Sequence, residues 1–332
     1  MYKPKKHLIQ GYNYVFFDSV KQFDGFVDHE MTKLNAHNDQ IWKEVLVRAE
    51  NRIISGSDWY GTPIPKSISE LKNHDTFLAM HLLDKLRPKI QQHLHKFLSQ
   101  LNVQETLPPE LAYNDKSLGI FSFDRAAMGL YHAIPINLNS PVDQINSQLH
   151  IALNKSRIQT SVKNVYAYFK EQPTQYPSLT LYLQAGGNQN IKGNDLLYVG
   201  LACAELVSYL EARQVPVSIN VLIGSSVRNK VNIAIIKVKG FDSPLDLNQL
   251  LLLGSDPRYF RFRGFMGIIS LSNYFNRNIT KGLGIQKGNM AKNLIETLNI
   301  DAEVFEQSYS LQAASNEVLH IVNNFNQKIN KK

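Results

Sequence analysis

Cysteine is almost missing from this chain: Cys203 stands alone among 332 residues. A single thiol excludes an internal disulfide framework and any thiolate cluster built by this chain alone. It falls on the apolar face of a helix expected over 194–213, which predicts a buried, inert group. No apolar run approaches the roughly 20 residues that a membrane span requires. Met1 to Lys6 leads into no apolar core of a signal peptide. These absences predict a soluble, intracellular protein without membrane contact. Also missing are G-x-G-x-x-G, the P-loop lysine motif, G-x-S-x-G and H-E-x-x-H, and no repeat of solenoid period is present. No cofactor and no catalytic residue are therefore expected. His74, His81, His93 and His95 fall in one helical region with no carboxylate set beside them, so no metal site is expected either.

What is present supports a sizeable core, since hydrophobic residues make up 43% and charged residues 19%. The most legible stretch runs from Ser178 to Gly224. Leu179 to Leu183 is an extended apolar run, and the polar loop Gln184 to Asn190 cannot continue it. Asn194 stands as an N-cap before Leu196, Val199, Leu201, Cys203, Val207 and Leu210 at helical spacing. Val217 to Ile223 returns as a second apolar run. The pattern is one βαβ crossover, which requires a parallel pair and a right-handed connection. Val231 to Val238 follows as a near-continuous apolar strand, as expected of a parallel sheet covered on both faces.

Before this unit, Gly11 to Val27 mixes a strand with the start of a helix, and Leu34 to Ile54 has helical spacing at Ile41, Val45 and Arg48. Gly56 to Pro63 is a turn cluster around Trp59, and Ser67 with Glu70 forms a capping box. His74 to Leu101 is a long amphipathic stretch that Pro88 is expected to kink or divide. Leu107-Pro108-Pro109 and Pro173 to Pro177 read as linkers, and 142–172 as mostly helical. After the crossover, a short helix is expected over Leu245 to Leu253 and two helices over 289–298 and 301–326. The expected fold class is α/β. A helical or mixed region over 1–175 precedes a parallel-sheet domain over 176–332.

Charge is unevenly placed. Arg228, Lys230, Lys237, Lys239, Arg258, Arg261, Arg263, Arg277, Lys281, Lys287 and Lys292 lie between Ser225 and Lys292, opposed only by Asp242, Asp246 and Asp256. That fifth of the chain carries the whole net charge of +8. Localised excess suits an anionic partner; a solvated basic edge is the alternative. Within it, Arg258-Tyr259-Phe260-Arg261-Phe262-Arg263 sets guanidinium groups beside aromatic rings. Such an element can pair phosphates and stack bases, or it can bury its rings and turn its arginines to water. Lys281 to Asn289 is a basic glycine loop ahead of a helix, read as a connection or a phosphate cradle. In the 184–190 loop, Gln184 and Asn188 could supply amide contacts to a ligand, since open α/β sheets bind beyond the carboxyl ends of their strands. That loop carries neither a dinucleotide nor a triphosphate motif.

Strand, polar loop, long helix, strand, and a further strand bearing Lys237 and Lys239 resemble a von Willebrand factor A-like domain. In that family, the loop after the first strand carries an Asp-x-Ser-x-Ser metal motif, whose positions here hold Gln184, Gly186 and Asn188. The resemblance therefore implies a Rossmann-like fold whose metal site is lost, because neutral amides and a glycine replace anionic and hydroxyl ligands. Trp59-Tyr60-Gly61, the 118–131 segment with Asp124 and Met128, the βαβ unit and Asp256 to Arg261 together resemble an uncharacterised family of phage and mobile-element proteins. That likeness implies a bacterial host cytoplasm or a virion as location. The function expected is non-enzymatic. The basic region 225–292 would bind nucleic acid or another polyanion through Arg228, Lys230, Lys237, Lys239, Arg258, Arg261, Phe262, Arg263, Lys281 and Lys287. A virion or assembly component with a protein partner is the alternative. An enzyme acting on nucleic acid is less favoured, because no carboxylate cluster accompanies the basic region.

Overall fold

The computed structural model describes residues 4–72, 80–103, 111–114, 120–122, 166–169 and 177–330. The chain divides into two units, one of 1–108, 174–239 and 246–332 and the other of 109–173 with 240–245. The larger begins with a hairpin. β1 (His7–Ile9) turns at Gln10 and Gly11, both at positive φ, into the antiparallel β2 (Tyr12–Phe17). Ser19 caps α1 (Val20–Met31) by accepting the Gln22 N–H, and Asn35 caps α2 (Ala36–Ile54) by accepting the Asn38 N–H. α2 buries Ile41, Val45 and Ala49, four residues apart along one face. A single 3-10 turn at Asp58–Tyr60, then α3 (Ile68–Leu71) and α4 (Met80–Leu98), follow. Pro88 lies inside α4 without dividing it.

In the smaller unit, β3 (Leu111–Asn114), β4 (Ile120–Phe121) and β5 (Tyr166–Phe169) form an antiparallel sheet in the order β3-β5-β4. Strand β5 replaces part of the helix expected over 142–172. The linker 107–109, residues 173–176 of the second linker, His74, Asp124 and Met128 lie outside the described residues.

In the larger unit, β6 (Leu179–Gln184), α5 (Leu197–Glu211) and β7 (Val217–Val227) make the expected crossover, with the two strands parallel. Asn194 is not the N-cap of α5. It sits in a 3-10 turn and its side chain bonds Thr62. β8 (Lys230–Lys239) corrects the expectation of an all-parallel sheet, because it runs antiparallel to β7. The cause is the two-residue turn between them. Arg228 (φ 47°) and Asn229 (φ 62°) are both left-handed, the geometry that returns a strand directly beside its predecessor. Then come α6 (Leu247–Gly254), capped by Asp246, α7 (Phe265–Tyr274), α8 (Met290–Thr297), β9 (Glu303–Phe305) and α9 (Leu311–Asn330). The helix expected from residue 301 starts ten residues late, because 303–305 pair with the open edge of β6. Tertiary pairing outweighs helical spacing there.

The six strands stand in the order β1-β2-β8-β7-β6-β9. β2 pairs parallel with β8, Tyr12 opposite Val231 and Phe17 opposite Ile236. An N-terminal strand therefore completes the sheet built by the C-terminal ones, and residue 175 does not separate two sheets. The sheet is mixed, within an α/β architecture. One face carries Tyr14, Tyr182, Leu222, Ile233 and Ile235, covered by Met290, Leu294 and Ile295 of α8. The other carries Val15, Phe17, Val221, Ile223, Ala234 and Ile236. On this second face, Phe17 meets Phe23 and Phe26 of α1, and Asn232 donates to Ser272 of α7. Among the described residues, no helix is long and apolar enough to cross a membrane.

Candidate functional site

The basic aromatic run buries its rings, as one of the two readings expected, but buries its arginines with them. Tyr259–Gly264 is a π-turn leading into α7, begun by Pro257 after Asp256, whose carboxylate accepts the Arg258 and Tyr259 N–H groups. Every residue from Tyr259 to Gly264 is buried. Phe262 packs with Ala49, Tyr60 and Leu71 and meets the Trp42 ring edge-on. It is a core residue and is not available to stack a base. Arg263 donates to Asp24 at 2.8 Å and to Asp28 at 2.5 Å, two carboxylates one turn apart on α1. Burial works against its charge, but Asp28 and Asp24 outweigh burial and raise its pKa. Arg258 is buried too, and burial lowers its pKa. Lys239 is equally enclosed, bonded to Glu211 at 2.7 Å and to the Val217 carbonyl at 2.8 Å. These three cations are buried within the fold, and the expectation that they form a surface for a polyanion is corrected. The long side chains of Arg263 and Lys239 reach acceptors on neighbouring elements.

Arg261 is the exception. Its side chain is fully buried, donating to the carbonyls of Trp59 and Ile191, while its Nε has no partner. Among the described residues, no carboxylate lies within ion-pair distance of it. Burial first, and the like charge of Arg52 second, push its pKa down. The guanidinium carbons of Arg52 and Arg261 both lie 4.1 Å from the Trp59 ring centre. Burial pushes Tyr60 up to about 12 against the pull of Arg52, Arg261 and Arg48. Two guanidinium groups therefore lie against this tryptophan, and the charge of the neighbouring Asp58 only partly offsets the depression of Arg261.

Beside it opens a cavity of about 470 Å³, within the size range of small-ligand sites. α2 supplies one wall through Val45, Arg48, Ala49 and Arg52, whose spacing of three and four residues sets them on one helix face. Trp59, Tyr60, Phe260 and Phe265 add aromatic surface, and loops 187–189 and 282–286 close the remainder. Among the described residues, no acidic side chain lines it. Ser225, near the end of strand β7, also lines it; the residue is 2% exposed and its hydroxyl has no hydrogen-bond partner among the described residues. The cavity sits at the carboxyl ends of β6 and β7, where open α/β sheets hold ligands.

The glycine loop 281–288 is fastened on three sides. Arg48 donates to the Lys281 carbonyl at 2.6 Å, Asn188 exchanges two bonds with the Gln286 backbone, and Ile285 bridges to Ser226. Of the residues expected to bind a ligand, Asn188 lines the cavity with its amide already engaged. Gln184 is fully buried, donating to the Lys287 carbonyl and accepting the Ala291 N–H near the start of α8. Its role is to hold that helix. Lys281 and Lys287 are exposed beside the cavity loop; Arg228 and Lys230 are exposed at the β7–β8 turn, and Lys237 is exposed along β8. Sequence reasoning missed Arg48, Arg52 and Ser225. The signal for the arginines was present, because they fall next to the buried stripe of Val45 and Ala49.

Residues 163–329 match a family model described as a domain of unknown function (DUF7192). The match spans half of the chain. This chain belongs to the DUF7192 family. No curated protein and no solved structure matches the chain. The DUF7192 match includes the 187–189 loop, Ser225, Phe260, Phe265 and the 282–286 loop. Arg48, Arg52, Trp59 and Tyr60 precede it. The cationic wall of the cavity is thus contributed by sequence outside the residues that define DUF7192 in this chain.

Proposed function

We propose that this chain is a non-enzymatic binding protein that takes up an anionic group, of a nucleic acid or another polyanion, in the cavity between α2 and the carboxyl ends of β6 and β7. The observation carrying this reading is a cavity margin that, among the described residues, is basic and has no acidic side chain: Arg48 and Arg52 line it, and Arg261 lies buried behind Trp59 with no carboxylate at ion-pair distance. A buried cation lacking an anion is costly, and a bound anion offsets that cost. Exposed Lys281 and Lys287 flank the same loop and extend the basic surface toward solvent. For the architecture, parallel β6 and β7 joined through α5, with β9 parallel on the other edge of β6, support a von Willebrand A-like or Rossmann-like reading of the C-terminal part.

Fluorescence anisotropy of a labelled single-stranded oligonucleotide, titrated across salt concentrations, tests the reading. Binding should weaken steeply with salt, and Arg52→Gln should flatten the slope by about 0.7–0.9 if that guanidinium contacts one phosphate. Replacing the exposed Arg228 and Lys230 by Gln should change affinity less than Arg52→Gln does. No binding at low salt, or an effect confined to Arg228 and Lys230, would refute the cavity as the anion site.

A further inference from the structure

The cavity is divided chemically. One wall offers two guanidinium groups a helical turn apart on α2; the facing surface is Phe260 and Phe265, with the unpaired Ser225 hydroxyl set into it. Inorganic phosphate would satisfy the arginines and leave the aromatic part wet. A plain hydrocarbon would cover the rings and strand two cations and a hydroxyl. Buried hydroxyls in folded proteins are nearly always paired, so Ser225, which finds no partner among the described residues, marks a position where a ligand atom belongs. The geometry points to a nucleoside phosphate as the occupant, its phosphate on Arg48 and Arg52, its base against Phe265, and a ring heteroatom on Ser225.

This inference rests on the anion-binding reading and narrows it. A phosphate monoester carries close to two negative charges at neutral pH, which matches a pair of arginines better than a carboxylate does. The Arg52 guanidinium lies on the Trp59 ring, which holds its plane in place for a phosphate at its edge. The polar groups that choose between bases are few. Ser225 offers a buried hydroxyl with an unused bond, whereas the Asn188 side chain is already engaged with the Gln286 backbone. The same chemistry can come from a free nucleotide or from the phosphorylated end of a strand.

Calorimetric titration of the whole chain at low salt separates these sources. The probes are the four common nucleoside 5′-monophosphates, ribose 5-phosphate, adenosine, benzoate, and dinucleotides with and without a 5′-phosphate. At least one monophosphate should bind 30-fold more tightly than ribose 5-phosphate and than its own nucleoside. Ser225→Ala should weaken that binding about 5–30-fold, the worth of one or two kcal/mol, and leave ribose 5-phosphate unchanged. Arg52→Gln should weaken both. Preference for a 5′-phosphorylated dinucleotide over the monophosphate would assign the ligand to a strand end. Equal binding of ribose 5-phosphate and the monophosphates, or tighter binding of benzoate, would overturn the inference while leaving anion binding intact. Binding of long oligonucleotides without any of these small probes would do the same. Failure of every anion would remove both. The probe series on the unaltered protein decides the matter even if Ser225→Ala fails to fold.

Discussion

Gly186 is where the packing of this protein can be tested with a single methyl group. It lies in the loop after β6 at φ +92°, and a Cβ built there would come within 2.1 Å of Cζ of Phe260. Two penalties follow for Gly186→Ala. A left-handed backbone costs an L-residue about 1–2 kcal/mol, and forcing an extra methyl into a filled site costs about 1–3 kcal/mol. Phe260 is buried in the π-turn with Phe265 at its edge, 5.6 Å between ring centres, so the ring cannot simply swing into solvent. The expected loss is about 2–5 kcal/mol, read from urea unfolding followed by circular dichroism. Gly25→Ala is the control. It stands exposed in α1 with nothing within 4 Å of the added carbon, and should stabilise by about 0.5–1 kcal/mol through helix propensity. Because Phe260 lines the cavity, Gly186→Ala should also weaken ligand binding. A Gly186→Ala protein as stable as the Gly25→Ala control would refute the close-approach argument.

Phe262→Ala should cost about 3–5 kcal/mol in the same assay, since it empties a buried site between α2 and the π-turn; a small effect would return that ring to the surface. Burial first, and Glu317 after it, raise the pKa of Glu306 against the pull of the Asn289 and Lys292 N–H groups and the Lys292 charge. Its ionised form is therefore penalised in the fold, and the penalty grows as pH rises through the folded pKa. Glu306→Gln should be more stable than the parent at pH 8, with the gap closing below the unfolded carboxyl pKa of about 4.3; a gap that widens in acid would contradict this. Burial pushes Cys203 up to about 12, so iodoacetamide should label it only on unfolding. Native labelling at the rate of a free thiol would show that α5 opens.

Apolar runs made β6, α5 and β7 readable, because a strand buried on both faces announces itself by composition alone. The direction of β8 was hidden by its turn. Arg228-Asn229 lacks the glycine that signals a tight hairpin, yet both residues adopt left-handed backbone. β9 was hidden by brevity, since three residues inside a helical pattern carry little weight until β6 offers them an edge. Gln184 and Gly186 drew attention as loop chemistry, whereas their work is structural: one holds the start of α8 and the other admits Phe260. The arginines of the basic run were visible but their partners were not. Asp24 and Asp28 precede Arg263 by more than two hundred residues, and no local pattern connects them. The cavity was illegible for the same reason, because Arg48 and Arg52 of its cationic wall and the Ser225 hydroxyl come from segments far apart in the chain.

The parallel pairing of β2 with β8 carries a consequence for biosynthesis. Tyr12 to Phe17 are made more than two hundred residues before Val231 to Ile236, against which they dock. At about 5–20 residues per second, that wait lasts roughly ten to forty seconds. During it, a short strand bearing Tyr12, Tyr14, Phe16 and Phe17 stands without its partner. Contacts so distant along the chain also slow the final search, since the connecting loop must close before they yield any stability. The nascent protein thus carries an aromatic strand lacking its parallel partner until β8 has been made, a window in which its exposed rings favour non-native association.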